Sequence, residues 1–287
     1  MKKMQRFVYV IMLMLTACTL TAREKRALAV GIGVYQDPAW GKIHADKDLA
    51  YVGSILEMYG FTDVTFLKNE QATKEEIVKS FEGLECRCKE GDVVYIHFSG
   101  HGQQVKDISG DETDGYDEAW IPYDAYRKCC PEDDGSRHLV DDEINVMLAK
   151  LRDKVGRDGQ ILVVVDACHS GNSSRMPKSI MTEFVARGVS DIFVPSAQAS
   201  VSENVTEDWL LISACEDYQV NFEVRKPGVG KLTYAIYKLR KVLPIASNEV
   251  LLKKLVEIMN SPDFVGPISQ NPRFDGDDHN VKDVFKR

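Results

Sequence analysis

Two apolar runs constrain this chain more than anything else in it: Val93 to Gly102, VVYIHFSGHG, and Ile161 to Gly171, ILVVVDACHSG. Each is short, rich in β-branched residues and without helical spacing. Each stops in small residues beside one reactive side chain, as a buried parallel strand does where it meets a functional loop. One run ends at His101 and the other at Cys168. In an open parallel sheet covered by helices, ligands bind beyond the carboxyl ends of the strands, so neighbouring strands of this kind present an imidazole and a thiol at one edge. Those are a nucleophile and its proton-transfer partner. Gly100 and Gly102 flank His101, and the backbone N–H groups of Gly102 and Cys168 are the candidate oxyanion donors. A lone cysteine is usually a packed small hydrophobe and a lone histidine a turn residue; the shared position at strand ends is what favours chemistry here.

The rest of the chain reads as strands alternating with helices. ALAVGIGVY from Ala27 is a first strand, Val64 to Leu67 a second, and Trp209 to Ala214 another after the two runs above. Helical spacing appears over Asp46 to Tyr59, Thr73 to Leu84, Asp141 to Leu151, Leu232 to Leu243 and Val250 to Met259. Glu118 to Asp124 reads as a short edge strand, because Pro122 cannot serve a central one, and the tail after Ser261 supplies a further edge strand. Asn172 to Ser202 is long, polar and weakly periodic, and reads as a surface loop. This pattern predicts an α/β fold with a mostly parallel central sheet and helices on both faces.

Lys2, Lys3 and Arg6 precede an apolar run, Phe7 to Ala17, that is too short to span a bilayer, so residues 1–22 read as a signal peptide and the protein is expected to be exported to the periplasm, the cell envelope or the medium. Two cleavage sites compete: a lipobox, Leu15-Thr16-Ala17-Cys18, that would lipidate Cys18, and a site after Ala22. Residues 23–287, 44% hydrophobic over the whole chain, are expected to form one domain and a monomer. A net charge of −8 argues against nucleic acid or an anionic membrane as partner and suits basic peptides; membrane contact would come only through the lipid anchor.

Four segments in register carry a family resemblance: Ser99-Gly-His-Gly102, GDETDGYDE (Gly110 to Glu118), HLVDDEI (His138 to Ile144) and DACHSG (Asp166 to Gly171), with SACEDYQ (Ser213 to Gln219) following. In these the chain resembles the metacaspases, caspase-like cysteine peptidases. The resemblance implies a caspase-like three-layer sandwich and an endopeptidase that cuts after arginine or lysine, with Cys168 as nucleophile and His101 as general acid and base. It also implies that Asp48, Ser99 and Asp166 bind the basic side chain. No cofactor is needed for the chemistry. Calcium is implied as an activator, held by Asp117, Asp141 and Asp142; the fourth position of that set is Arg175 here. Self-cleavage after a basic residue is implied too, with Arg175, Lys178 and Arg187 as candidates in the loop after Cys168.

Ala45 stands where some relatives carry a second cysteine. Cys215 reads as a core residue. Cys86, Cys88, Cys129 and Cys130 are left either to pair across two loops, as an exported protein allows, or to remain free thiols. His97 reads as packed inside its strand, His169 as pointing away from the site, and His44, His138 and His279 have no visible partner. Two rival readings are a catalytically silent binding module with the same fold and a clostripain- or gingipain-like peptidase, which lacks the GDETDGYDE and VDDE segments. A nucleotide binder is poorly supported, since Gly31 and Gly33 do not complete a phosphate-binding fingerprint.

Overall fold

A computed structural model describes residues 23–107, 110, 112, 114–168, 184–189, 191–195, 206–216, 218–264, 269–276 and 279–286. The signal region with Cys18, and His169, Arg175 and Lys178, lie outside the described residues. No helix among the described residues is long and apolar enough to cross a membrane.

Four strands run parallel in the main sheet: β1 (Lys25–Gly31), β2 (Asp63–Lys68) at one edge, β3 (Val93–Ser99) and, after two small strands and a third in a separate sheet, β7 (Gln160–Asp166). Those three are β4 (Gly102–Lys106), β5 (Tyr116–Trp120) and β6 (Leu139–Val140). β8 (Leu210–Ser213) extends the main sheet in parallel, and an antiparallel edge strand, β11 (Arg273–Asp275), closes it. A two-stranded hairpin, β9 (Glu223–Val224) and β10 (Val229–Gly230), stands apart. The main order is β11-β8-β7-β3-β1-β2.

Alternate side chains of the central strands point to opposite faces, and each face is covered. Ala27, Ala29, Val93, Tyr95, Leu162 and Val164 meet α1 (Ala45–Met58), α4 (Lys231–Lys238), α5 (Asn248–Met259) and α6 (Val281–Phe285). Leu28, Val30, Val94, Ile96, Ile161 and Val163 meet α2 (Lys74–Arg87) and α3 (Asp141–Val155). Thr73 caps α2 by accepting from the Glu76 N–H at 3.3 Å, and Ser247 does the same for α5 at Val250. This is the expected three-layer sandwich.

Three local expectations change. Tyr116–Trp120 is not an edge of the main sheet: it is the middle strand of the separate antiparallel sheet β4-β5-β6, and it ends before Pro122, so the proline is never asked to donate. β4, GQQVK, was hidden by its polar side chains; Gln103 is buried there, bonded to His138 and to the Asp191 carbonyl. The stretch read as a surface loop runs inside the protein at Arg187, Gly188 and Phe193, all buried. No disulfide joins the described cysteines, so Cys86 and Cys88 do not pair with Cys129 and Cys130; Cys215 is buried. All three histidines left without a visible partner have one: His44 bonds Glu223 at 2.6 Å, His138 bonds Gln103, and His279 bonds Asp208 at 2.6 Å.

Candidate active site

β3 and β7 are adjacent and in register, with Ser99 opposite Asp166. His101 and Cys168 each follow two residues later, so the sheet delivers them to the same edge. His101 Nε2–H donates to the Gly41 carbonyl at 2.7 Å, which fixes the tautomer and leaves Nδ1 as the bare nitrogen. Nδ1 is buried and has no hydrogen-bond partner among the described residues. Trp40 stacks on the ring at 5.3 Å, Tyr35 packs at 5.2 Å, and the Tyr35 hydroxyl accepts from the His101 N–H. Burial pushes the imidazole down to about 4, so it stands neutral and able to take a proton. The Cys168 thiol donates to the Gln219 carbonyl at 3.4 Å.

The space beside this pair is filled by the chain itself. The segment around Arg187 lies extended between two backbones. Its N–H donates to the Asn221 carbonyl at 2.9 Å, the Glu223 N–H donates to the Val185 carbonyl at 2.9 Å, and Gly188 bridges Gly102 in parallel. The Arg187 carbonyl accepts from the N–H groups of both Cys168, at 2.9 Å, and Gly102, at 3.4 Å. These are the two donors the sequence nominated for an oxyanion. Gly188 has no room for a side chain, since a Cβ would come within 2.4 Å of the Cys168 carbonyl oxygen.

The Arg187 side chain is fully buried and ends among three acids. Nη1 lies 2.6 Å from Asp48 Oδ2, 3.2 Å from the Asp166 carbonyl and 3.5 Å from Asp166 Oδ1. Nε and Nη2 donate to Glu223 Oε1 at 3.2 and 3.1 Å. Each acid is held in turn. Asp48 accepts from the Ser99 hydroxyl at 2.9 Å and the Gly230 N–H at 3.0 Å. Asp166 accepts from Asn221 and from the N–H and hydroxyl of Thr233. Behind Ser99 stands His97, buried and pushed by that burial to about 4, with Nε2 at 2.8 Å from the Ser99 hydroxyl. Gly230 forms the wall: a Cβ there would sit 2.1 Å from Asp166 Oδ2 and 2.5 Å from Arg187 Nη1.

Burial pushes the Asp48 carboxyl up to about 6, against the pull of the guanidinium. Burial also opposes ionisation of Asp166, but the guanidinium and the hydrogen bonds from Asn221 and Thr233 hold its carboxyl below the usual range. Burial works against the guanidinium charge as well, and the three acids outweigh it, so Arg187 stays protonated.

Asp48, Ser99 and Asp166 are thus brought together, while Gly41, Gln219, Asn221, Glu223, Gly230 and Thr233 are site residues that sequence reasoning missed. All but Thr233 come from loops and short strands with no periodic signal; Thr233 lies in the first turn of α4, where helical spacing shows the helix but not the role. The acids named for calcium lie elsewhere. Asp117 is buried in β5, and Asp141 and Asp142 open α3. Among the described residues no group of three or more His, Cys, Asp or Glu side chains is placed to hold a metal ion.

Residues 25–177 match the family model described as metacaspase, peptidase C14 domain. Metacaspase-1B of Aspergillus fumigatus is 33% identical over 182 residues, covering 60% of this chain and 41% of that protein. Metacaspase-1A of Neurospora crassa is 31% identical over 175 residues, covering 57% and 36%. The match therefore spans about two fifths of the length of these relatives. Among solved structures, a Geobacter sulfurreducens protein superposes with a TM-score of 0.63 at 26% identity, covering 88% of this chain and 92% of that one. Caspase-1 of Spodoptera frugiperda superposes with a TM-score of 0.56 at 14% identity over 88% and 86%, a likeness of fold. With more than half its length inside the family model, the chain belongs to the metacaspase family.

Proposed function

We propose that the protein is a cysteine endopeptidase that cleaves after arginine or lysine, with Cys168 as nucleophile and His101 as general acid and base, and that its first substrate is its own Arg187–Gly188 bond. One observation carries this reading: Arg187 lies in the acidic pocket while its carbonyl faces the N–H groups of Cys168 and Gly102.

The thiol leaves the Gln219 carbonyl and its sulfur bonds to the Arg187 carbonyl carbon as His101 Nδ1 takes the thiol proton. Negative charge gathers on the carbonyl oxygen, where two backbone donors already point. Collapse breaks the carbon–nitrogen bond to Gly188. His101 gives its proton to the leaving amine, and a thioester remains. Water then adds to the thioester while His101 accepts its proton; the carbon–sulfur bond breaks, the proton returns to sulfur, and Arg187 leaves as a carboxyl that ionises. Until the cut segment withdraws, the pocket stays filled, so the intact chain is closed to other substrates. Export follows from the signal region in the same reading and is checked by cell fractionation.

The test is incubation of wild-type protein and Cys168→Ala, with calcium and with chelator, followed by fragment masses and hydrolysis of peptides ending in arginine, lysine and aspartate. A new N-terminus at Gly188 and hydrolysis of the basic peptides alone, both lost in Cys168→Ala, are expected. An uncut wild-type chain that hydrolyses neither basic peptide would overturn the reading.

A further inference from the structure

We propose that Glu223, steadied by His44, makes the pocket selective for arginine over lysine rather than for positive charge in general. The inference rests on the peptidase reading above and narrows its substrate class to arginine at the cleaved bond.

A guanidinium is planar and offers donors along two edges, whereas an ammonium is one point of charge at the end of a stem. The pocket meets both edges separately. Nη1 faces Asp48 and the Asp166 carbonyl, and the Nε–Nη2 edge faces Glu223 Oε1 at 3.2 and 3.1 Å. A lysine whose ammonium took the place of Nη1 would satisfy Asp48 and leave Glu223 without its cation. That carboxylate is only 3% exposed, and a buried charge stripped of its partner is costly.

Glu223 cannot turn away to water. Its Oε2 accepts from His44 Nδ1–H at 2.6 Å, and its Oε1 accepts from the His44 backbone N–H at 2.7 Å. His44 is the residue that precedes α1, the helix that carries Asp48. The two acids that read the two edges are therefore set by one turn of chain. The Glu223 backbone also takes part, since its N–H donates to the Val185 carbonyl two residues before Arg187. Glu223 is thus a specificity-determining residue that touches the bound side chain, and His44 is a positioning residue acting through it.

Two measurements test this. The first is the ratio of kcat/KM for a matched pair of peptides ending in arginine and lysine. Wild type is expected to favour arginine by at least about tenfold, and Glu223→Gln to lower the arginine value about tenfold or more while the lysine value moves less than about threefold. His44→Ala is expected to shift the ratio the same way by less. The second needs no catalysis: in Cys168→Ala, the urea midpoint is compared for Arg187 and Arg187→Lys, each with Glu223 and with Glu223→Gln. Arg187→Lys is expected to lower the midpoint when Glu223 is present and to lower it by less than half as much in Glu223→Gln. Equal falls for both peptides, or an Arg187→Lys penalty that Glu223→Gln leaves unchanged, would overturn the assignment. Absence of any hydrolysis would count against the peptidase reading alone, and the urea cycle would still decide for or against Glu223.

Discussion

Around Arg187, three buried carboxylates close on one guanidinium, and every one of them also accepts from a fixed donor: Ser99 and Gly230 for Asp48, Asn221 and Thr233 for Asp166, His44 for Glu223. Around Asp141, a cleft of about 500 Å³ is lined by Glu112, Asp114, Glu118, Glu207 and Asp275, beside Trp120 and Trp209. There burial, with the like charges of Glu118, Asp142 and Glu112, pushes the Asp141 carboxyl up to about 7. Both regions are acidic, and the sequence marks the second more loudly, in GDETDGYDE and VDDE. The difference is one of partners: the acids around Arg187 come from a helix and two strands far apart in the chain and share one cation, whereas those around Asp141 face one another as like charges.

The largest effect that could break this comparison is removal of the cation that the three acids share. Arg187→Ala in Cys168→Ala leaves three buried acids without it, and unfolding in urea is expected to show a loss of about 3 kcal/mol or more; a change within error would mean that the three acids do not depend on Arg187. Next comes the pocket wall. Gly230→Ala places a methyl group on Asp166 and the guanidinium, so self-cleavage is expected to fall at least about a hundredfold and stability by about 2 kcal/mol. Gly83→Ala in α2, whose Cβ would meet only the end of the Arg87 side chain at 3.4 Å, is the control that should lower neither.

A smaller effect of opposite sign is expected in the second cluster. A carboxyl whose folded value lies above its unfolded one is stabilising while protonated and loses that advantage as pH rises from about 4 through about 7. Asp141→Asn should therefore stabilise the protein by about 1–2 kcal/mol at pH 8 and leave it unchanged at pH 4, as read by thermal unfolding. The smallest expected effect returns to the pocket. Asp48 takes up its proton as pH falls through about 6, so KM for an arginine peptide should rise severalfold between pH 7 and pH 5. With an uncharged residue in place of the arginine, KM should stay flat.

His101 and Cys168 were legible because each ends a local apolar run, and β3 and β7 fall in register through those runs alone. The helices were legible from their buried stripes, such as Leu49, Val52, Ile55 and Leu56 in α1. Arg187 could be named only as one of three basic residues after Cys168, since its docking depends on Asn221, Glu223 and Gly102, none of which is near it in the chain. Glu223 and His44 are 179 residues apart, and no spacing rule connects them. β4 and β6 escaped for a different reason: one is polar and the other is two residues long, so neither shows alternation.

β7 and β8 lie side by side in the main sheet, paired from Leu162 with Leu210 to Val165 with Ser213, yet they stand on opposite sides of residue 187 in the chain. α4, α5 and α6, all later in sequence, share one core with α1. A break after Arg187 is therefore a nick within a single folded body. The two polypeptides would travel together through gel filtration and part only in denaturant, each lacking a strand and a layer that the other supplies.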